Sequence, residues 1–125
     1  DFAQTWIDKQ IERYNSNAFG LMALVDKNTG EFIGQCGLLK QTVDDKEEIE
    51  IGYHVMPRYW AKGYATEAAR HFKMYAFKNN ITRSLVSIIH PDNVGSQMVA
   101  SKNGMCKEKT TIWRDMKAFV FRIDN

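Results

Sequence analysis

The stretch from Glu48 to Asn79 limits what this chain can fold into more than any other. Glu48-Ile49-Glu50-Ile51-Gly52-Tyr53-His54-Val55 alternates apolar and polar residues. That is the pattern of a strand with one buried face, placing Ile49, Ile51, Tyr53 and Val55 on one side and Glu48, Glu50 and His54 on the other. Gly52 interrupts the polar side and predicts a bulge. Pro57 ends the run. After Arg58-Tyr59-Trp60-Ala61-Lys62-Gly63, an apolar stripe through Ala65, Ala68, Ala69, Phe72, Tyr75, Ala76 and Phe77 predicts a helix over Thr66–Asn79. A strand, a glycine turn and a helix N-terminus together present unpaired backbone N–H groups and partial positive charge to an anion. Gly63 allows close backbone approach and Lys62 adds a point charge. The stretch reads as a phosphate cradle.

The flanking elements follow from the same rules. Phe2, Trp6, Ile7, Ile11 and Tyr14 recur at helical spacing. Phe19–Val25 and Phe32–Lys40 read as an antiparallel hairpin around Asp26-Lys27-Asn28-Thr29-Gly30, with Gly34 and Gly37 marking a bulge or a close neighbour. Thr42–Glu47 is polar and acidic and reads as a loop. Ser84–Ile89 is a buried-strand run ending at His90-Pro91. Asp92-Asn93 offers an N-cap for a helix over Val94–Lys102, which Asn103-Gly104 closes. Two β-rich runs split near Trp113-Arg114-Asp115 complete the order: α, β-hairpin, β, α, β, α, β-hairpin. A chain of 125 residues of this kind is one domain, residues 1–125.

Several function classes drop out. A net charge of +2 with scattered Lys and Arg gives no basic footprint for nucleic acid. No apolar stretch approaches a membrane span and no signal-peptide pattern opens the sequence, so no membrane partner is expected. Cys36 and Cys106 lie far apart without metal-ligand spacing, so they read as free thiols, the cytoplasm as the default compartment, and no metal is expected. A P-loop NTPase would need Gly-x-x-x-x-Gly-Lys-Ser/Thr, which the sequence lacks.

Pro57-x-Tyr59-Trp60-x-Lys62-Gly63-Tyr64-Ala65-Thr66-Glu67-Ala68 resembles the pyrophosphate loop of the GCN5-related N-acetyltransferases, the GNAT superfamily, and is most similar to its RimJ/RimL-like branch. A second motif agrees: His90-Pro91-Asp92-Asn93-Val94-Gly95-Ser96, then Lys102-Asn103-Gly104-Met105, resembles the branch's Asn-x-x-Ser and Lys-x-Gly-Phe elements. The resemblance implies an α/β (α+β) fold with a mixed, mostly antiparallel twisted sheet, a splayed parallel strand pair and helices on both faces. It also implies that the family's first strand is absent from this sequence. The expected activity is transfer of an acetyl group from acetyl-CoA to a primary amine by direct attack, with a protein N-terminus as one acceptor and small amines (polyamines, antibiotics) as the alternative. The resemblance leaves room for a homodimer.

By the same resemblance, backbone groups of Tyr53, His54 and Val55 meet the thioester end. Lys62, Gly63, Tyr64, Ala65 and Thr66 supply the pyrophosphate contacts, and Asn93 is a cofactor-side contact that doubles as a helix cap. Ser96 is the candidate proton donor to the leaving thiolate. Glu50 is the candidate general base because an amine arrives mostly protonated and must lose a proton to attack; His54 is the second choice and Glu48 belongs to the rim. The sequence departs from the family at Trp60 and Ala61 in the loop, at Met105 for the usual Phe, and at Ala100, where many members place a tyrosine acid. That last gap favours a competing reading, a non-catalytic CoA-binding module. The acidic stretch Asp44-Asp45-Lys46-Glu47-Glu48 would suit a cationic acceptor.

Overall fold

The computed structural model describes residues 20–125, so the helix expected over Phe2–Tyr14 lies outside the described residues. The elements are β1 (Leu21–Val25), β2 (Phe32–Val43), β3 (Lys46–Val55), a 3₁₀ turn (Pro57–Tyr59), α1 (Tyr64–Lys78), β4 (Ser84–Ile89), α2 (Val94–Lys102), β5 (Cys106–Trp113) and β6 (Met116–Asp124). The strands form one sheet in the order β1-β2-β3-β4-β6-β5. Every neighbouring pair is antiparallel except β3 and β4.

Two expectations at β3 need correction. The segment 42–47 is not a loop: β2 runs to Val43, β3 begins at Lys46, and only Asp44-Asp45 lies between them. Both aspartates have positive φ, 50° and 63°, the left-handed pair that a two-residue hairpin turn of matching twist requires and that Asp tolerates. Polar composition hid the turn. Gly52 makes no bulge, since the β2–β3 register runs unbroken through Gly37↔Gly52. At Gly34 the close-neighbour reading holds: a Cβ there would lie 2.1 Å from the His54 carbonyl oxygen.

Small residues let the helices settle on the sheet. Ala69 and Ala76 of α1 are buried against Cys36, Leu38, Ile51 and Leu85, and Phe72 and Phe77 flank them. Ala100 of α2 packs with Ile89, Met105 and Phe121. Both described helices therefore lie on the face that Ile51, Leu85 and Ile89 share. The opposite face carries a smaller apolar cluster, Val43, Val86 and Val120, edged by Ile88 and Trp113. Beside it Arg122 pairs with Glu48 and with Glu108, the latter through its Nε at 2.6 Å. Glu48, expected on the rim, is only 6% exposed. Burial is tolerable because the Arg122 guanidinium donates to both Glu48 oxygens while its Nη1 also donates to the Ser84 hydroxyl. Cys36 and Cys106 are free thiols, and burial pushes the Cys36 thiol up to about 12.

Candidate functional site

β3 and β4 are in ladder register at one position, Glu50↔Val86, and then diverge. Side chains bridge the gap where the backbone ladder stops. Ile88 N–H donates to Glu50 Oε2 at 2.9 Å, and the Ser87 hydroxyl donates to the Ile51 carbonyl at 2.9 Å. Further along, the Tyr53 hydroxyl donates to the Ser96 carbonyl at 2.7 Å, tying β3 to the first turn of α2. The first two bonds meet backbone groups that a continuous ladder would have paired, so the opening leaves those groups satisfied. A cavity of about 530 Å³ occupies it. Glu50, Leu39, Gln41 and His54 wall one side of the sheet, and Tyr53, Ser87, Asn93 and Ser96 the other.

Glu50 is 8% exposed, which corrects any picture of a solvated strand carboxylate. Desolvation raises its pKa, against the lowering pull of the Ile88 N–H, the Gln41 amide and the Arg114 charge. Gln41 Nε2 donates to Oε1 at 3.0 Å. Each carboxylate oxygen accepts one hydrogen bond and keeps a lone pair for a further donor. His54 stands on the same face but exposed; Tyr53 stands on the opposite face, its hydroxyl pKa raised by burial. Val55 ends the strand, and its carbonyl accepts from Trp60 Nε1 at 2.6 Å, fastening the loop to the strand.

The loop then turns through Ala61 (φ 61°) and Gly63 (φ 86°) into α1. Gly63 is the N-cap in the left-handed conformation, and no side chain caps the first turn. A Cβ at Gly63 would meet nothing within 4 Å, so glycine serves here for its conformation rather than for space. The first helical bond is from Glu67 N–H to the Gly63 carbonyl, leaving the amides of Tyr64, Ala65 and Thr66 without helical acceptors. Lys62 is exposed with its Nζ 5.8 Å from the Tyr59 ring centre. Helix α1 begins two residues earlier than the apolar stripe predicts because Gly63, not Ala65 or Thr66, makes the cap.

Asn93 is the N-cap of α2: its Oδ1 accepts from Ser96 N–H at 3.0 Å. Both line the cavity. Ala100 is 1% exposed, packed in the core, so the tyrosine acid's position holds no polar group. Asn103 is 2% exposed, and its Nδ2 donates to the carbonyls of Thr66, at 3.2 Å, and Val99, at 3.1 Å. It locks the first turn of α1 to the end of α2. Lys73 Nζ donates to the Asn103 carbonyl at 2.9 Å.

Gln41, Trp113 and Arg114 are among the cavity residues to which the sequence assigned no individual role. No local signal marks them. They meet because two hairpin tips touch. Arg114-Asp115 repeats the left-handed pair of Asp44-Asp45, with φ of 50° and 64°, and Trp113 Nε1 donates to the Thr42 carbonyl at 3.1 Å. Among the described residues no group of three His, Cys, Asp or Glu could hold a metal, and no helix is long and apolar enough to cross a membrane.

The fold has close counterparts among known proteins. The family model for the acetyltransferase (GNAT) domain matches residues 1–106. The chain belongs to the GNAT family. A GNAT relative at the level of sequence is the uncharacterised protein YkkB of Bacillus subtilis, 37% identical over 105 residues, which are 84% of this chain and 61% of that protein. The chain thus spans about three fifths of that relative's length. An acetyltransferase structure from Agrobacterium tumefaciens is 26% identical with a TM-score of 0.81, covering 100% of this chain and 73% of that one. A ribosomal-protein alanine acetyltransferase from Vibrio fischeri, 20% identical with a TM-score of 0.78 over 94% of this chain and 67% of its own, shares the fold.

Proposed function

We propose that this chain is a single acetyltransferase domain that moves an acetyl group from acetyl-CoA to a primary amine. One observation carries the reading: β3 and β4 part after Glu50↔Val86, and a cavity with a buried carboxylate at its wall fills the gap. When bound, acetyl-CoA supplies an activated acetyl thioester. The residues present fit it. The free amides of Tyr64, Ala65 and Thr66, the left-handed Gly63 and the Lys62 ammonium would hold a diphosphate. Tyr53, His54, Val55 and the Asn93 side chain would line the narrower arm.

Glu50 is the general base. Its raised pKa suits a group that must collect a proton from an ammonium, and its free lone pairs face the cavity either directly or through a water. Glu50 would take one proton from the ammonium and release it to solvent. As the neutral nitrogen bonds to the acyl carbon and the C–S bond breaks, Glu50 would take the second nitrogen proton. The Ser96 hydroxyl would protonate the departing thiolate and recover its proton from Glu50 through water. Burial of the carboxylate keeps bulk water from competing. The acceptor would be a protein N-terminus or a small amine.

A second reading, a CoA-binding module without catalysis, is favoured by the buried Ala100. Two measurements separate the readings. Acetyl-CoA, but not ATP, raises the Tm of the protein if the cradle holds a phosphopantetheine carrier. Release of free CoA in the presence of primary amines, cut by about 10²–10⁴ in Glu50→Gln with loss of the acidic limb of the pH profile, supports catalysis through Glu50. Activity that survives this change with an unaltered profile removes Glu50 from the role.

A further inference from the structure

The charges around the acceptor side of the cavity are arranged in a way the acidic stretch of the sequence conceals. Asp44 is taken up by Lys109 Nζ at 2.8 Å and by the Thr111 hydroxyl at 2.5 Å. Glu48 is buried under Arg122. Glu47 lines a separate hollow of about 930 Å³ with Lys46 and Arg122. Asp45 and Asp115 sit on the turns and are not among the cavity walls. Among the described residues lining the cavity, Glu50 is the one carboxylate, and it is occupied by Gln41 and Ile88. Lys40 and Arg114 line the same space. The acceptor side is therefore cationic.

Arg114 is held as a recognition group is held. Trp113 is pinned by its indole N–H to the Thr42 carbonyl, and the Arg114 guanidinium lies over the Trp113 ring, 4.2 Å from its centre. One terminal nitrogen donates to Gln41 Oε1 at 3.4 Å, a long bond. The other amide atom of Gln41 donates to Glu50. A single glutamine thus sets the spacing between a planar cation and the proposed base. A guanidinium stacked flat on indole keeps its remaining N–H fork available for a carboxylate.

We propose that this end of the cavity selects an acceptor amine that also bears a carboxylate, with Arg114 as the residue that reads it. The proposal rests on the acetyl-transfer reading above and narrows its acceptor. A carboxylate on Arg114 leaves the amine of the same molecule directed along Gln41 toward Glu50. A polyamine brings a second ammonium against Arg114, and like charges brought together disfavour it.

The test uses three straight-chain amines of matched length: γ-aminobutyrate, butylamine and putrescine, differing only in the far group. Two readouts are taken on the full chain: CoA release, and broadening of the amine's NMR signals on protein saturated with CoA. The expected order in kcat/KM and in broadening is γ-aminobutyrate, then butylamine, then putrescine, with about tenfold or more between the extremes at low salt, shrinking as salt rises. Arg114→Gln abolishes the advantage of γ-aminobutyrate over butylamine, measured as the ratio of the two within the variant; Arg114→Glu inverts the order. Putrescine equal to or ahead of γ-aminobutyrate in both readouts overturns the proposal, as does an order that Arg114→Glu does not move. If no amine releases CoA while the broadening order and its inversion hold, the acetyl-transfer reading fails and the charge assignment stands.

Discussion

Glu48 and Glu50 stand two residues apart on one face of β3, 6% and 8% exposed, with different partners. Glu48 faces the Arg122 guanidinium; Glu50 faces two neutral N–H donors, from Ile88 and Gln41. For Glu50 desolvation outweighs those donors, so its folded pKa lies above the value in an unfolded chain. The sign follows from linkage. Its favourable contribution to folding is fully present below the ordinary carboxylate pKa and is lost as pH rises through the raised value. Glu50→Gln keeps an acceptor for Ile88 N–H and removes the charge. The variant is therefore expected to be more stable than the parent at about pH 8 and to lose that advantage at about pH 4. Denaturant midpoints at the two pH values check this; equal midpoints at both would show that Glu50 is not desolvated as described. A buried carboxylate that costs stability at neutral pH fits the role proposed for Glu50.

At the scale of elements, the junctions carry more than the strands and helices themselves. The corner before α1 depends on Gly63, whose φ of 86° strains any residue with a Cβ. Since a Cβ there would meet nothing, Gly63→Ala is expected to cost about 1–2 kcal/mol through backbone strain alone. Its fluorescence-detected CoA affinity should fall while the amine preference is unchanged; an affinity equal to the parent's would remove the corner from the cradle. The second junction is Asn103, which ties Thr66 in the first turn of α1 to Val99 in α2 and leaves its own Oδ1 without a partner. Asn103→Ala removes two donors from buried carbonyls and is expected to cost about 2 kcal/mol. Asn103→Asp, which places a carboxylate against those same carbonyls, should cost more at neutral pH than in acid. If the two variants unfold at the same denaturant concentration at every pH, the clamp is not formed.

Across the whole molecule, the Arg122 cluster joins β6 to β3, β4 and β5 through Glu48, Ser84 and Glu108. It sits on the face opposite the described helices, where a one-residue bulge in β5 between Lys107 and Lys109 leaves Glu108 as the extra residue, bonded to the guanidinium. Glu48→Ala leaves a largely buried cation with Glu108 as its remaining carboxylate. The expected loss is on the order of 2–3 kcal/mol, less than for a pair with no second partner. Glu108 and Asp44 are held below the ordinary carboxylate range, by Arg122 and by Lys109 respectively. Their contributions are present above the unfolded pKa and disappear as pH falls through the lowered values, the opposite direction to Glu50. Acid titration of the Glu48→Ala variant should thus begin to unfold at higher pH than the parent.

Local rules were enough for the strand at Ile49–Val55, the glycine corner, the Asn93 cap and both described helices, because period, cap and turn residues are properties of neighbours in the chain. The tight turn at Asp44-Asp45 was misread because aspartate is equally at home in a loop and in the left-handed pair of a hairpin. Alternation told which residues share a face of β3, but not that Glu48 and Glu50 would be covered. Covering comes from Arg122, Gln41 and Ile88, all distant in sequence. The cationic acceptor side depends on two hairpin tips meeting, Trp113 on Thr42 and Arg114 on Gln41. A chain's own spacing settles what each segment can become, since those forces act over a few bonds. Which charges are quenched and which are left facing the cavity is settled only once the fold brings the β2–β3 and β5–β6 turns together, because Coulomb and desolvation energies depend on distance in space.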